Sequence, residues 1–387
     1  MLKSPLLAIF LIVSVDVLGL TIILPLLPFY AEKLGATPAV VGLLVSTYAL
    51  CQLIAGPILG RMSDRTGRRP LLLVSQLGTF IGFLILAYSK VLWLVFLSRV
   101  IDGATAGNLS LAQAYISDVT EPENRAKSFA LIGIAFGMGF LAGPAISGFL
   151  SQYSYQYPIF AAAALSATSI LCTYFLLPSS IPARTSEDGG PARRFTVLDW
   201  GSYLRYFRTP GIAPLLWQFL AFALTFSLFM TGFPLFAERR FVWQGHPFGP
   251  KQVGYVYAYL GFLGVILQGG LMGRLVKMFG EINLVRAGFF FAMVGLAVLG
   301  FTYGIPLLLV VSAAASLGTG MNRPALTSLI TQRAARSEQG VVLGLTQSLN
   351  SISQICAPAL AGLLIDHSLL ATWALVAAVI SGAALFL

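Results

Sequence analysis

The chain has 387 residues, of which 57% are hydrophobic and only 10% charged, with a formal net charge of +10. Soluble globular proteins carry about 25% charged residues, so an ordinary soluble enzyme or binding domain is excluded. No dense basic patch with interleaved aromatics supports a nucleic-acid partner for the positive balance.

A bilayer core takes about 20 apolar residues per helix. The first apolar run, behind Lys3, continues to about Tyr30, contains Asp16 and lacks a small-x-small cleavage site. It reads as a retained helix rather than a signal peptide. Segments of spanning size fall at 6–30, 40–60, 71–89, 91–114, 128–150 and 158–178. Six more fall at 211–237, 252–272, 283–303, 305–331, 340–362 and 369–387. Cys51, Cys172 and Cys356 all lie in apolar stretches, without disulfide or metal spacing.

The extended polar stretch between the two sets covers 179–210. Pro182, Gly189, Gly190 and Pro191 make its first part a flexible linker. Trp200, Tyr203 and Phe207, interleaved with Arg205 and Arg208, fit either a surface amphipathic helix or a plain linker. The expected fold is an all-α membrane protein: twelve transmembrane helices in two pseudo-symmetric six-helix bundles, 1–178 and 211–387.

Two landmarks support a duplication. Gly60-Arg61-Met62-Ser63-Asp64-Arg65-Thr66-Gly67-Arg68-Arg69 is echoed in the second set by Gly273-Arg274-Leu275-Val276-Lys277-Met278-Phe279-Gly280, with Lys277 in place of the acid. Gly143-Pro144-Ala145-Ile146-Ser147-Gly148 is echoed at nearly the same offset by Ala357-Pro358-Ala359-Leu360-Ala361-Gly362. Both halves have the same in–out sense, a parallel repeat. With both termini inside, sixteen Lys and Arg residues fall on the cytoplasmic side and five outside, which sets the orientation.

A charge at mid-helix in lipid costs about 2.5–3.5 kcal/mol. Asp16, Arg99, Asp102 and Arg323 stand out on that ground. Asp16 lies about ten residues into its helix, roughly 15 Å deep at 1.5 Å per residue. Arg99 and Asp102 share one face at i, i+3. A carboxyl moved between dry, hydrated and cation-facing settings changes its hold on a proton, so Asp16 first, and Asp102 second, are candidate proton-coupling groups, with Arg99 opposing. The competing reading is a static Arg99–Asp102 pair. Snorkelling competes for Arg323.

Polar stripes at helical spacing mark a substrate cavity: Arg99, Asp102, Gly103, Ala106, Ser110 and Gln113 in the fourth segment; Ser312, Ser316, Thr319, Arg323 and Thr327 in the tenth; Gln347, Asn350, Ser351 and Gln354 in the eleventh. The seventh offers Gln218, Phe222, Thr225, Phe229, Phe233 and Phe236. Helix–helix hydrogen bonding is the competing use of such stripes. In the opening loop, Gly60 suits close helix approach, Gly67 a positive-φ turn, and Asp64 a helix N-terminus; topology alone also accounts for the basic residues. Gly133, Gly137, Gly139 and Gly143 give the fifth segment a close-packing face, and Pro144 a kink.

These residues resemble the major facilitator superfamily over essentially the whole chain. Gly60 to Arg69 matches its G-x-x-x-D-R-x-G-R-R/K loop, and Arg99 with Gly103 its R-x-x-x-G pattern. Gly139, Gly143, Pro144 and Gly148 match the G-x-x-x-G-P-x-x-x-G pattern associated with antiporters. Asp16-Val17-Leu18-Gly19-Leu20 followed by Pro25-Leu26-Leu27-Pro28 resembles the first helix of tetracycline/proton antiporters and related drug-efflux proteins. The resemblance implies that Asp64 meets the start of helix 11 near Gln339 and Gly340, and that Arg68 or Arg65 pairs with Asp118, a lock for the cytoplasmic side.

The expected activity is proton-coupled export of a lipophilic or amphiphilic small molecule by alternating access, in an inner or plasma membrane, by a monomer. Uptake of a sugar or organic anion, and a non-transporting receptor or lipid-handling role, are the alternatives. The coupling ion is a proton; no cofactor or metal is expected. His246 and His367 fall in loops and no nucleophile–base constellation appears, so enzymatic activity is not expected.

Overall fold

A computed structural model describes residues 5–120, 125–178, 205–334 and 339–387, without the side chains of 5, 117, 125–130 and 340. The expected linker at 179–204, with Trp200 and Tyr203 of its amphipathic part, lies outside the described residues. Beyond it, Phe207 packs edge-on against Trp217 with ring centroids 5.1 Å apart.

Among the described residues, twelve helical spans follow one another. α1 is Pro5–Ile23, resumed after a turn by Leu27–Lys33; α2 is Pro38–Thr66 and α3 Arg68–Ala87. α4 comes in two pieces, Leu92–Ala104 and Asn108–Val119, followed by α5 (Arg125–Leu150) and α6 (Gln156–Leu176). α7 is Ala213–Arg240. α8 is Pro250–Ile266, a π-turn Leu267–Leu271 and Met272–Phe279. α9 is Glu281–Leu299, α10 Ile305–Arg333, α11 Gln339–Asp366 and α12 Leu370–Ala383, ending in a short 3₁₀ turn.

Among the described residues, ten spans are long and apolar enough to cross a membrane on their own. The other two are α4, broken at 105–107, and the shorter α12. The α1 break falls at Pro25, which has no N–H to give the helix. Pro38 and Pro250 open α2 and α8, where the missing N–H costs nothing. A two-residue hairpin that the sequence reading did not foresee, Val242–Trp243 against His246–Pro247, turns through Gln244 (φ 53°) and Gly245 (φ 82°).

The chain folds into two compact units. One comprises the described residues of 1–36, 47–192 and 250–258; the other, those of 37–46, 193–249 and 259–387. In the first, Ile9, Ile12 and Val13 of α1 pack with Leu72, Leu111, Tyr115 and Ala135. In the second, Leu216 and Phe219 of α7 pack with Phe289, Leu326, Ile330, Val342 and Leu345.

Lipid tails are as apolar as leucine, so helices associate through close packing rather than through hydrophobicity, and small residues set the approach. A Cβ at Gly139 of α5 would lie 2.7 Å from Val17 Cγ1, and one at Gly143 2.7 Å from Thr21 Cβ. Thr21 Oγ1 donates across this seam to the Gly139 carbonyl at 2.9 Å. Gly133, expected on the same face, has open space around it. In the second unit, Gly288, Gly295 and Gly318 seat α9 on α10.

The duplication recurs as paired contacts. In the first unit Gly254 of α8 abuts the Pro144 carbonyl, and Gly148 lies against Lys251. In the second, Gly42 of α2 abuts the Pro358 carbonyl, and Gly362 lies against Pro38. The echoed Gly-Pro and Ala-Pro motifs thus do the same packing in both halves.

Overpacking a tight contact costs about 1–3 kcal/mol. A Cβ at Gly318 would sit 2.7 Å from the Ala292 nitrogen, whereas one at Gly264 meets nothing within 4 Å. Gly318→Val is therefore expected to lower the melting temperature of the detergent-solubilised protein, and Gly264→Val to leave it near wild type.

Candidate functional site

The first unit buries a polar cluster contributed by α1, α2, α3, α4 and α6. Arg99 Nη1 meets Asp102 Oδ2 at 3.2 Å, with both side chains about 5% exposed. Arg99 Nη2 has no partner. Thr79 of α3 hydrogen-bonds Asp102. Two glycines make room for the pair. A Cβ on Gly82 of α3 would lie 3.1 Å from Asp102 Cβ, and one on Gly103 would lie 2.6 Å from the Tyr48 carbonyl of α2.

Asp16 stands on α1, its carboxyl hydrogen-bonded by the side chains of Gln76 of α3 and Ser169 of α6, with the Asp102 charge and the Tyr48 phenol near. Gln76 Nε2 donates to Ser169 Oγ at 2.7 Å. Asp16 Oδ2 and Gln76 Oε1 are buried without hydrogen-bond partners. The structure thus brings Asp16, Arg99 and Asp102 together. Arg99 pairs with Asp102 through Nη1, and Asp16 has no ion-pair partner among the described residues while its Oδ2 is left without a donor. Such an arrangement has room for a proton.

The residues expected to line a cavity fall into several settings. Thr225, Phe229 and Thr319 line a cavity of about 20 Å³ with Ser316 and Met230, enough for one water. Thr225 Oγ1 lies 3.0 Å from Ser381 Oγ of α12. Phe222 stacks on Phe226, with ring centroids 6.0 Å apart. Phe233 is fully buried beside Phe229, a packing role within α7's neighbourhood. Arg323 and Gln347 are exposed, whereas Gln113, Asn350 and Gln354 are half-buried.

At the opening loop, Gly67 has φ 95° and ends α2. Arg68 is the hub: its Nη1 meets Asp64 Oδ1 at 2.5 Å and Ser63 Oγ at 2.6 Å, and its Nε donates to Asp118 Oδ2 at 2.8 Å. Of the two arginines open to Asp118, Arg68 takes it; Arg65 is exposed. The close approach expected at Gly60 is absent among the described residues: a Cβ there would meet nothing within 4 Å. Its backbone does other work, because the Gly60 carbonyl accepts from Ser63 Oγ at 2.6 Å and so presents Ser63 to Arg68.

The second loop has an acid, one position beyond the echoed run. Glu281 holds the place of Arg68: it opens α9 directly behind Gly280 (φ 74°), as Arg68 opens α3 behind Gly67. Ser328 Oγ donates to its Oε1 at 2.6 Å and Gln332 Nε2 to its Oε2 at 3.0 Å. The hub is kept and its sign reversed. The sequence signal was the residue after a positive-φ glycine in both loops. Gln76 and Asn322 were also missed. Asn322 is fully buried with neither amide atom bonded, in space left by Gly288. Each is a single amide in an apolar stretch, without a period to mark it.

A family model described as the Major Facilitator Superfamily matches residues 9–352 and 271–387. The class B tetracycline resistance protein of Escherichia coli is 32% identical over 368 residues, covering 92% of this chain and 88% of that one. The quinolone resistance protein NorA of Staphylococcus aureus is 28% identical over 353 residues, covering 90% and 87%. The crystal structure of the nucleoside transporter NupG superposes with a TM-score of 0.78 at 16% identity, over 99% of this chain and 98% of that one, a likeness of fold.

Removing one partner of a buried ion pair costs about 3–5 kcal/mol, because the other charge is left uncompensated. Asp102→Ala is expected to lose about that much in a thermal or denaturant unfolding assay. The double variant Arg99→Met with Asp102→Leu should recover most of the loss.

Proposed function

The chain belongs to the Major Facilitator Superfamily, and from that premise we propose that it exports a lipophilic or amphiphilic small molecule in exchange for protons, by alternating access. The observation that carries the reading is Asp16, half-buried at mid-helix, with one buried carboxylate oxygen that no donor meets. The pairing of Arg99 with Asp102 at 3.2 Å leaves Asp16 as the acid free to take a proton. The printed names of the relatives, tetracycline and quinolone resistance proteins, support an export substrate of that class. The coupling ion is a proton and needs no cofactor.

The chain works as a monomer in an inner or plasma membrane with both termini cytoplasmic, the orientation favoured by its Lys and Arg placement. The Asp64–Arg68–Asp118 cluster holds the ends of α2, α3 and α4 in register and steadies the cytoplasmic face during the cycle. Uptake of a polar nutrient is the second reading; the exposed Arg323 and Gln347 side chains favour it.

In proteoliposomes under an imposed pH gradient, tetracycline or ethidium flux should fall to the leak level in Asp16→Asn, while melting stays near wild type. Undiminished gradient-driven flux would sink the proton-site assignment, and movement only of sugars or organic anions would favour the second reading. Asp64→Asn is expected to slow turnover of the same probes markedly, and Lys277→Gln far less.

A further inference from the structure

We propose that the second unit holds a bilayer phospholipid by its phosphate, at the end opposite the Gly273–Gly280 loop, with the Arg240 guanidinium as the receiving group. Arg240 closes α7. Its Nη2 donates to the Gly300 carbonyl at the end of α9, at 3.2 Å. Its guanidinium carbon lies 4.4 Å from the ring centre of Tyr303 and 5.5 Å from that of Phe236. The face of an aromatic ring attracts positive charge. Two rings and one carbonyl therefore fix the cation in place.

That fixed cation is left without an acid. Glu238 pairs with Arg239 at 3.2 Å, and no carboxylate among the described residues pairs with Arg240. A guanidinium carries five N–H donors in a planar fork that matches phosphate geometry. Among the described residues only its Nη2 bonds to protein, so Nε and Nη1 present a donor edge to an anion.

The surroundings select which anion. Phe290, Phe291, Val294, Val298 and Phe301, along α9 and just past its end, are all exposed. At about 100° per residue they share one stripe. A bulky apolar stripe left open on a spanning helix is covered by lipid tails. From Glu281 to Phe301 a helix rises about 30 Å at 1.5 Å per residue, the thickness of the hydrocarbon. Tyr303, 74% exposed, therefore stands where tails give way to headgroups, the level at which tyrosine rings collect. Arg240 lies on that ring, so the anions at its level are the phosphates of the bilayer. Val242 and Trp243, exposed in the hairpin that follows directly, add apolar surface at the same border. A free phosphate would meet the same fork but bring no tails to cover the stripe.

The test is the melting temperature of the detergent-solubilised full chain, titrated with palmitoyl-oleoyl phosphatidylglycerol, with the diacylglycerol of the same chains, and with inorganic phosphate. The wild type should be stabilised by phosphatidylglycerol alone, because a ligand of the native state raises the melting temperature. In Arg240→Gln the lipid concentration giving half the rise should increase about tenfold, as fits the loss of charge-assisted hydrogen bonds. Tyr303→Leu, at an exposed position, should shift it in the same direction, and stands in if the Arg240 variant does not fold. Lys90→Gln, which removes an exposed cation from the first unit, should leave it unchanged. A merely structural Arg240 would lower the starting melting temperature and leave the half-rise concentration where it was, which overturns the proposal. An equal shift in Lys90→Gln would mean diffuse attraction, an equal rise with diacylglycerol tail packing, and an equal rise with inorganic phosphate a free-anion site; each overturns it too.

Discussion

Inside a bilayer a polar side chain has only the protein to bond to. The arrangement of the first unit follows from that constraint acting on two acids and one arginine. Asp102 is matched by Arg99 on its own helix at 3.2 Å, and the match requires α3 and α2 to come close enough to dry both groups. Gly82 and Gly103 let them. Asp16 has no such partner, so its neighbours are amide and hydroxyl groups reached from α3 and α6. The same five helices therefore serve a fixed charge pair and an unfixed acid. The difference between the two settings is one cation.

Close approach does the remaining structural work. Glycines meet backbone carbonyls at the α5–α8 and α2–α11 contacts, and glycine faces glycine between α9 and α10. Backbone contacts of this kind carry no rotamer entropy and tolerate small sliding. They allow long helices to pack tightly without large side chains locking them into one register.

Much of this was legible in the sequence because it was periodic or repeated. Twelve apolar segments, the loop beginning at Gly60 and its echo, the Gly139–Gly143–Pro144 face, and the isolated Asp16 all announce themselves by spacing or by the cost of their charge. What was hidden was single and relational. Gln76 matters only because Ser169 and Asp16 lie beside it, and neither neighbour is close in sequence. Glu281 carries no mark of its own in the sequence, and only its bonds to Ser328 and Gln332 make it the counterpart of Arg68. Gly60 shows the converse: a glycine in a motif need not mark a helix crossing. The helix breaks at Pro25 and at 105–107 were invisible to a window that averages hydropathy over a whole span.

The π-turn in α8 bears on the history of the two halves. Gly42 follows Pro38 at the same spacing as Gly254 follows Pro250, yet the step from Gly254 to Gly273 is longer by one than the step from Gly42 to Gly60. Between its two landmarks α8 therefore carries a single extra residue relative to α2. In an uninterrupted α-helix that residue would rotate everything beyond it by about 100°. A π-turn takes up such an insertion locally, and Leu267–Leu271 lies between the two landmarks, where Gly269 and Gly270 have open space around them. The two halves thus differ by one residue between these landmarks, and the π-turn absorbs the difference within α8.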